Sequence, residues 1–267
     1  MDKNIKILKI SLICVFLNLF ISFNIGAFEN KKNELGAYFS TKVYEERHPV
    51  NNSFFMSQDG FMLGLKGNNE NYFDKSYFGL KYTLGYGQVD YTSARTGTMT
   101  GIPDYQMEGA GYYGIPFDSF NKRITPFTGL GYRYLLNASG LKATSTGHSG
   151  YDRESRYMYL PIGVNFETNL SPTNSYWELR GEYLHFLYGQ QKSKLSQVSP
   201  NYKDITNDQE DGSGIKLSAK YHFDSKSGIE GFMDYWDIAD SKVDVSGHFM
   251  EPRNTTSETG IKYFWKF

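Results

Sequence analysis

The chain has 267 residues, 28 Lys and Arg against 29 Asp and Glu for a formal net charge of −1, and a single cysteine, Cys14. Balanced charge with no basic stripe offers nucleic acid nothing to grip, and one thiol excludes an internal disulfide or a thiolate metal cage. Mean hydropathy is well below zero, yet 22 Tyr, 20 Phe and 27 Gly stand in the chain, a mixture foreign to an ordinary Leu/Ile/Val core. Aromatics at two interfaces, glycines on a crowded inner wall and polar residues at alternate positions fit a membrane barrel.

Lys3, Lys6 and Lys9 precede an apolar run over 10–23 broken only by Ser11, Asn18 and Ser22. The run suits a secretory leader and falls short of the roughly 20 residues of a spanning helix. Ile25 and Ala27 occupy the positions a signal peptidase inspects, and a polar stretch from Glu29 to Asn33 follows. Residues 1–27 therefore read as a signal peptide cleaved after Ala27, and 28–267 as one barrel domain. Cys14 lies mid-run, followed by Val15, Phe16 and Leu17, the wrong setting for lipid attachment. The mature chain then has no thiol.

Beyond Ala27 no apolar run approaches a helical span, so a membrane form of the chain must be a closed sheet. Apolar alternation and turn signals predict strands near 34–45, 54–66, 73–91, 104–116, 123–137, 155–169, 176–190, 212–223, 228–241 and 256–267. The expected fold is all-β, a transmembrane antiparallel up-and-down barrel of about ten strands, or eight if two of these are loop extensions. Period two is clearest where Met158, Leu160, Ile162, Val164 and Phe166 interleave with Tyr157, Tyr159, Pro161, Gly163 and Asn165. Trp177, Leu179, Tyr183 and Leu187 alternate with Glu178, Arg180 and Glu182, and Ile215, Leu217, Ala219, Tyr221 and Phe223 with Lys216, Ser218, Lys220 and His222. No helical face carries charge at every second position. Gly109, Gly111, Gly129 and Gly131 lie within strands with no helix following, so they read as places where lumen side chains pass or the sheet bends.

Short connections at 67–71, 118–122, 171–174 and 224–227 alternate with long polar ones near 46–53, 92–103, 138–154, 191–211 and 242–255. Bacterial barrels put short turns and both termini in the periplasm and long loops outside. The chain closes on Tyr263, Phe264, Trp265, Lys266 and Phe267, with Ile261 and Tyr263 at alternate positions before the final Phe. Phe267 resembles the C-terminal signal read by the outer-membrane assembly machinery, which is the partner expected during biogenesis.

In this register Lys81, Glu108, Arg133, Glu178, Arg180, Glu182, Lys216, Lys220, Glu230, Asp234 and Lys262 all point inward. Ten strands enclose little more than the eight-stranded size that side chains already fill, far below the sixteen of an aqueous porin. Opposite charges in so narrow a lumen should pair, and Tyr112, Tyr157, Tyr159 and Phe186 add bulk, so a polar, salt-bridged plug is expected, with Arg133 and Arg180 central to it. Catalytic readings are thinner. His222 lies beside the charged rows at the periplasmic end without an evident serine, and His148 sits in a loop with Ser145, Ser149, Asp152 and Glu154, where adjacency in sequence is no triad. His248 is weaker still. Asp204, Asp208, Glu210, Asp211, Asp237 and Asp240 gather near the outer loops without calcium-loop spacing. No cofactor motif and no metal site is expected.

Several stretches resemble a broad family of bacterial outer-membrane β-barrel proteins of the porin and opacity-protein kind: 124–135, 151–163, 234–238, and Glu251-Pro252 with the closing strand. The resemblance implies fold and location and carries no catalytic residue. The ten-stranded omptin proteases are similar in size and strand count, yet Asp90 has no aspartate two residues away and the chain has no Asp-His dipeptide. Lipid A deacylases use a His and a Ser at the lipid-facing wall; His185 has the outward register, with Tyr183 and Leu187 beside it along the strand. The expected role is a non-enzymatic surface protein whose barrel presents loops for envelope integrity, adhesion or ligand contact, among outer-membrane lipids and lipopolysaccharide. The alternatives are a small solute channel and a membrane-embedded hydrolase acting on lipid or peptide.

Overall fold

The computed structural model describes residues 30–73, 75–168, 175–244 and 249–267; the proposed leader, the 171–174 turn and His248 lie outside the described residues. Its strands are Asn30–Arg47 (β1), Phe54–Tyr72 (β2), Tyr77–Ser93 (β3), Gly97–Gly114 (β4), Phe117–Ser119 (β5), Lys122–Asn137 (β6), Arg153–Glu167 (β7), Tyr176–Ser193 (β8), Ile205–Gln209 (β9), Gly212–His222 (β10), Ser227–Ile238 (β11) and Asn254–Lys266 (β12). All but β5 and β9 form one antiparallel ring, closed where β8 pairs with β10 and where β12 pairs with β1. The protein is a ten-stranded barrel. Closure leaves no edge with unpaired amides, the condition for a sheet to sit in lipid.

The wall is sheared. Leu35 pairs with Gly67, Gly67 with Tyr82, Tyr82 with Gly109, Gly109 with Tyr132, Tyr132 with Met158 and Met158 with Tyr188. The path starts low on β1 and arrives high on β8, as tilted strands require. Outward positions carry an exposed apolar band that includes Phe39, Phe61, Leu63, Leu130, Ile162, Leu217 and Ile261. Near the short turns it ends in a ring-to-ring cluster of Trp177, Tyr221, Phe223, Tyr263 and Trp265, and Tyr86 packs on Tyr105 toward the long loops. Aromatic clusters at both ends of an apolar band are the arrangement that membrane barrels carry as girdles.

The expected turn at 67–71 is instead the end of β2. Its Gly and Asn residues read as turn chemistry, but Asn68 and Glu70 point inward and bond to each other, while Asn69 donates to Asn33 on β1. The expected 92–103 loop is a tight hairpin. Gly97 and Gly101 take positive φ, and a register slip between Val89 and Tyr91 absorbs the extra residue, so these glycines mark a bulge and a turn within paired strands. Gly131 does make room in the lumen, since an added Cβ would fall 2.1 Å from the Tyr159 ring. Gly111 faces outward into open space, with Ala110 inward. Its glycine serves no lumen contact.

Candidate functional site

The lumen is where the chain concentrates chemistry. Charges arrive on alternate residues from every wall strand and organise in layers from the short-turn end to the mouth. In the lowest layer the Lys220 ammonium lies 2.9 Å from Glu34 and 3.2 Å from Glu178, and Lys262 lies 2.5 Å from Glu230. Lys32 binds Glu167, which also accepts from the Tyr72 hydroxyl at 3.1 Å. Glu70 has no cation of its own among the described residues and is held by Asn68 and Tyr77.

In the middle layer Lys216 reaches Glu108 at 2.5 Å, and Tyr159 donates to the same carboxylate. Arg180 Nε donates to Glu182 at 2.5 Å, with the Tyr112 hydroxyl 3.1 Å from that carboxylate. Asp234 lies 3.6 Å from Lys66 and 3.7 Å from Lys216. Higher up, Lys42 binds Asp104, which accepts from Asn137. At the mouth Arg153 binds both Glu46 and Glu251.

Three of these contacts are ties across the barrel. Lys32 to Glu167 and Arg153 to Glu46 both join β7 to β1, which stand half a circumference apart in the strand order, and Lys216 to Glu108 joins β10 to β4 on the far wall. They lie near the base, in the middle and at the mouth. Between the middle and lowest layers lies a cavity of about 80 Å³, against the several hundred Å³ of small-molecule sites.

All eleven inward charges read from the sequence stand on this inner wall, but not all pair. Arg133 and Lys81 have no carboxylate within ion-pair distance among the described residues; Arg133 instead lies 5.0 Å from the Trp236 ring centre, with Nη1 lacking an acceptor. The expectation that Arg133 anchors a salt bridge is corrected: the bulky indole from β11 fills the space a carboxylate would need. Sequence reading missed Lys32, Glu34, Lys42, Glu46, Lys66, Asp104, Arg153, Glu167 and Glu251. Lys32, Glu34, Lys42 and Glu46 share one parity along β1, the one signal available for them.

His222 is buried at the base, its Nε2 3.3 Å from Glu178 and its ring stacked on Tyr176 at 4.0 Å, with Phe264 edge-on. Glu34, Glu178 and His222 bring donor atoms within 4.8 Å of one another, the spacing of a cation site, yet the Lys220 ammonium already stands between the carboxylates. The chain supplies its own cation there. His148 contacts Thr146 in its loop, and His48 Nδ1 accepts from the Val50 amide. His185 faces outward as expected, and the register sets Ser213 of β10 opposite it, with Asp237 opposite Ser213 in turn. Sequence order had hidden that row. The outer-loop carboxylates do not converge: Asp204 binds Ser196 and Lys192, Asp208 binds Tyr188 and Gln190, Glu210 binds Lys242, and Asp237 binds Arg253 through both oxygens.

At the mouth, burial beside the Glu46 carboxylate outweighs Arg153 and pushes the Glu251 carboxyl up to about 8. Tyr44 completes the cluster by donating to Glu46. A carboxyl whose folded pKa lies above its unfolded value of 4.5 contributes stability that is full below the unfolded value and is lost as pH rises through the folded one. The stretches 239–244 and 249–253, tied down by Glu251 and by bonds from Asn207 to the carbonyls of Lys242 and Phe249, should therefore loosen between pH 5 and 9. Hydrogen exchange corrected for intrinsic rate should show less protection at pH 9, and Glu251→Gln should flatten the dependence. Equal protection at both pH values would contradict it.

No protein-family model matches the chain, and no curated protein matches it in sequence. Solved structures match in fold. The outer membrane protease OmpT from Escherichia coli superposes at a TM-score of 0.59 with 9% identity, over 92% of this chain and 100% of that one. The translocator domain of the autotransporter NalP from Neisseria meningitidis gives 0.39 with 9% identity, over 97% and 95%. Neisserial surface protein A gives 0.37 with 11% identity, over 90% and 100%.

Proposed function

We propose that this chain is an exported bacterial outer-membrane barrel with a closed lumen, a non-enzymatic protein that acts through the loops its braced wall presents. Residues 1–27 are the leader, Phe267 with its strand is the assembly signal, and the apolar band meets membrane lipids, with lipopolysaccharide around the loops. The observation that carries this reading is the set of ties across the lumen at base, middle and mouth. A barrel that conducts solute leaves its axis free, whereas this one crosses its axis with ion pairs whose separation would strand buried charges. Liposomes containing the purified protein should swell no faster than empty ones in a small sugar. Swelling at a porin-like rate would favour the solute channel instead.

One observation favours a second reading. His185 and Ser213 face each other on the outer wall, with Asp237 next in the row, the residue types of a serine hydrolase exposed to lipid. Against it, no hydrogen bond joins His185 to Ser213, and Asp237 is held by Arg253 rather than orienting the histidine. The purified barrel should show no ester hydrolysis of phospholipid or lipopolysaccharide acyl chains above background. Hydrolysis abolished by Ser213→Ala and by His185→Ala would overturn the non-enzymatic reading.

A further inference from the structure

We propose that the lumen cavity binds one monovalent anion of halide size between Lys81 and Arg180. Every carboxylate on the cavity wall already has its cation: Glu108 has Lys216, Glu182 has Arg180, Glu230 has Lys262, and Asp234 has Lys66. Lys220, at the cavity floor, is committed to Glu34 and Glu178 below. Lys81, also on the cavity wall, has no carboxylate within ion-pair distance among the described residues.

Arg180 supplies the other half of the site. Its Nε is spent on Glu182, but neither Nη1 nor Nη2 has an acceptor, although the side chain is only 2% exposed. The guanidinium lies 4.5 Å from the Tyr112 ring centre and the Lys81 ammonium 6.0 Å from the same ring. Both cations thus lie near one aromatic ring, and the Glu182 carboxylate beside them is already paired with the Arg180 Nε. The Tyr112 hydroxyl donates to Glu182, so it offers no relief.

Water in the cavity would satisfy hydrogen bonds and leave the repulsion between Lys81 and Arg180 unrelieved in a poorly screened interior. One anion does both. The cavity, about 80 Å³, admits a halide and excludes an organic anion of sugar-acid size. Glu108 and Glu182 on the same wall oppose a second negative charge, which sets the preference for monovalent over divalent species.

The test uses the refolded full barrel and bromide. Crystals grown in bromide should give an anomalous peak inside the barrel between Lys81 Nζ and the Arg180 guanidinium. In solution, melting should shift upward by several degrees when gluconate is replaced by bromide at constant ionic strength, and Lys81→Met should lose that increment. The absence of a lumen peak at high bromide, or an undiminished increment in Lys81→Met, would overturn the proposal. If Lys81→Met does not fold, the diffraction result on the unmodified protein decides. The outcome is independent of sealing: liposome swelling reads the ties, and bromide reads the site.

Discussion

Lys220→Met should destabilise the barrel more than any other single substitution of a lumen charge, by about 3–5 kcal/mol, the usual cost of leaving buried partners uncompensated. Lys220 is 2% exposed and holds two carboxylates, Glu34 and Glu178, each 1% exposed. Its removal leaves Glu34 with only Lys262 at 3.9 Å and Glu178 with His222. Methionine keeps the length of the stem, so the loss reports charge rather than volume. Urea unfolding of the detergent-solubilised protein measures it. Adding Glu178→Gln to Lys220→Met should recover part of the loss, because one stranded charge is then gone. A single-variant effect below about 1 kcal/mol would mean that water reaches this layer and screens the pair as it does at a surface.

The architecture was legible where one physical rule decides it. Period two with one apolar outer side fixes register, since a slip of one residue would turn Glu178, Arg180 and Glu182 onto that apolar face. The same rule placed Lys216, Lys220 and His222 inward and Trp177 and Tyr221 outward, as the structure has them. It failed where composition mimics a turn. Gly67, Asn68, Asn69 and Asn71 carry turn residues yet lie in β2, because their polar side chains find partners on the lumen wall and on β1.

Partners across the lumen were not legible at all. Periodicity says which residues face inward but not which height they reach, and height depends on the shear accumulated around the ring. Arg153 and Glu46 are distant in sequence and on opposite walls, so no local pattern joins them. The row of His185, Ser213 and Asp237 was hidden for the same reason, since it exists only once three strands are set side by side. Arg133 shows the converse error. Its charge and inward parity argued for an ion pair, but pairing depends on what shares its height, and there it meets Trp236.

Side chains rather than a narrow backbone ring close the lumen, and planar-bilayer recording reads that closure directly. The unmodified barrel should give no discrete conductance steps. A variant with all three ties cut, Lys32→Ala, Arg153→Ala and Lys216→Ala, should give them, because each substitution removes a long side chain that crosses the axis at its own height. Stable steps from the unmodified protein, equal in size to those of the triple variant, would contradict it.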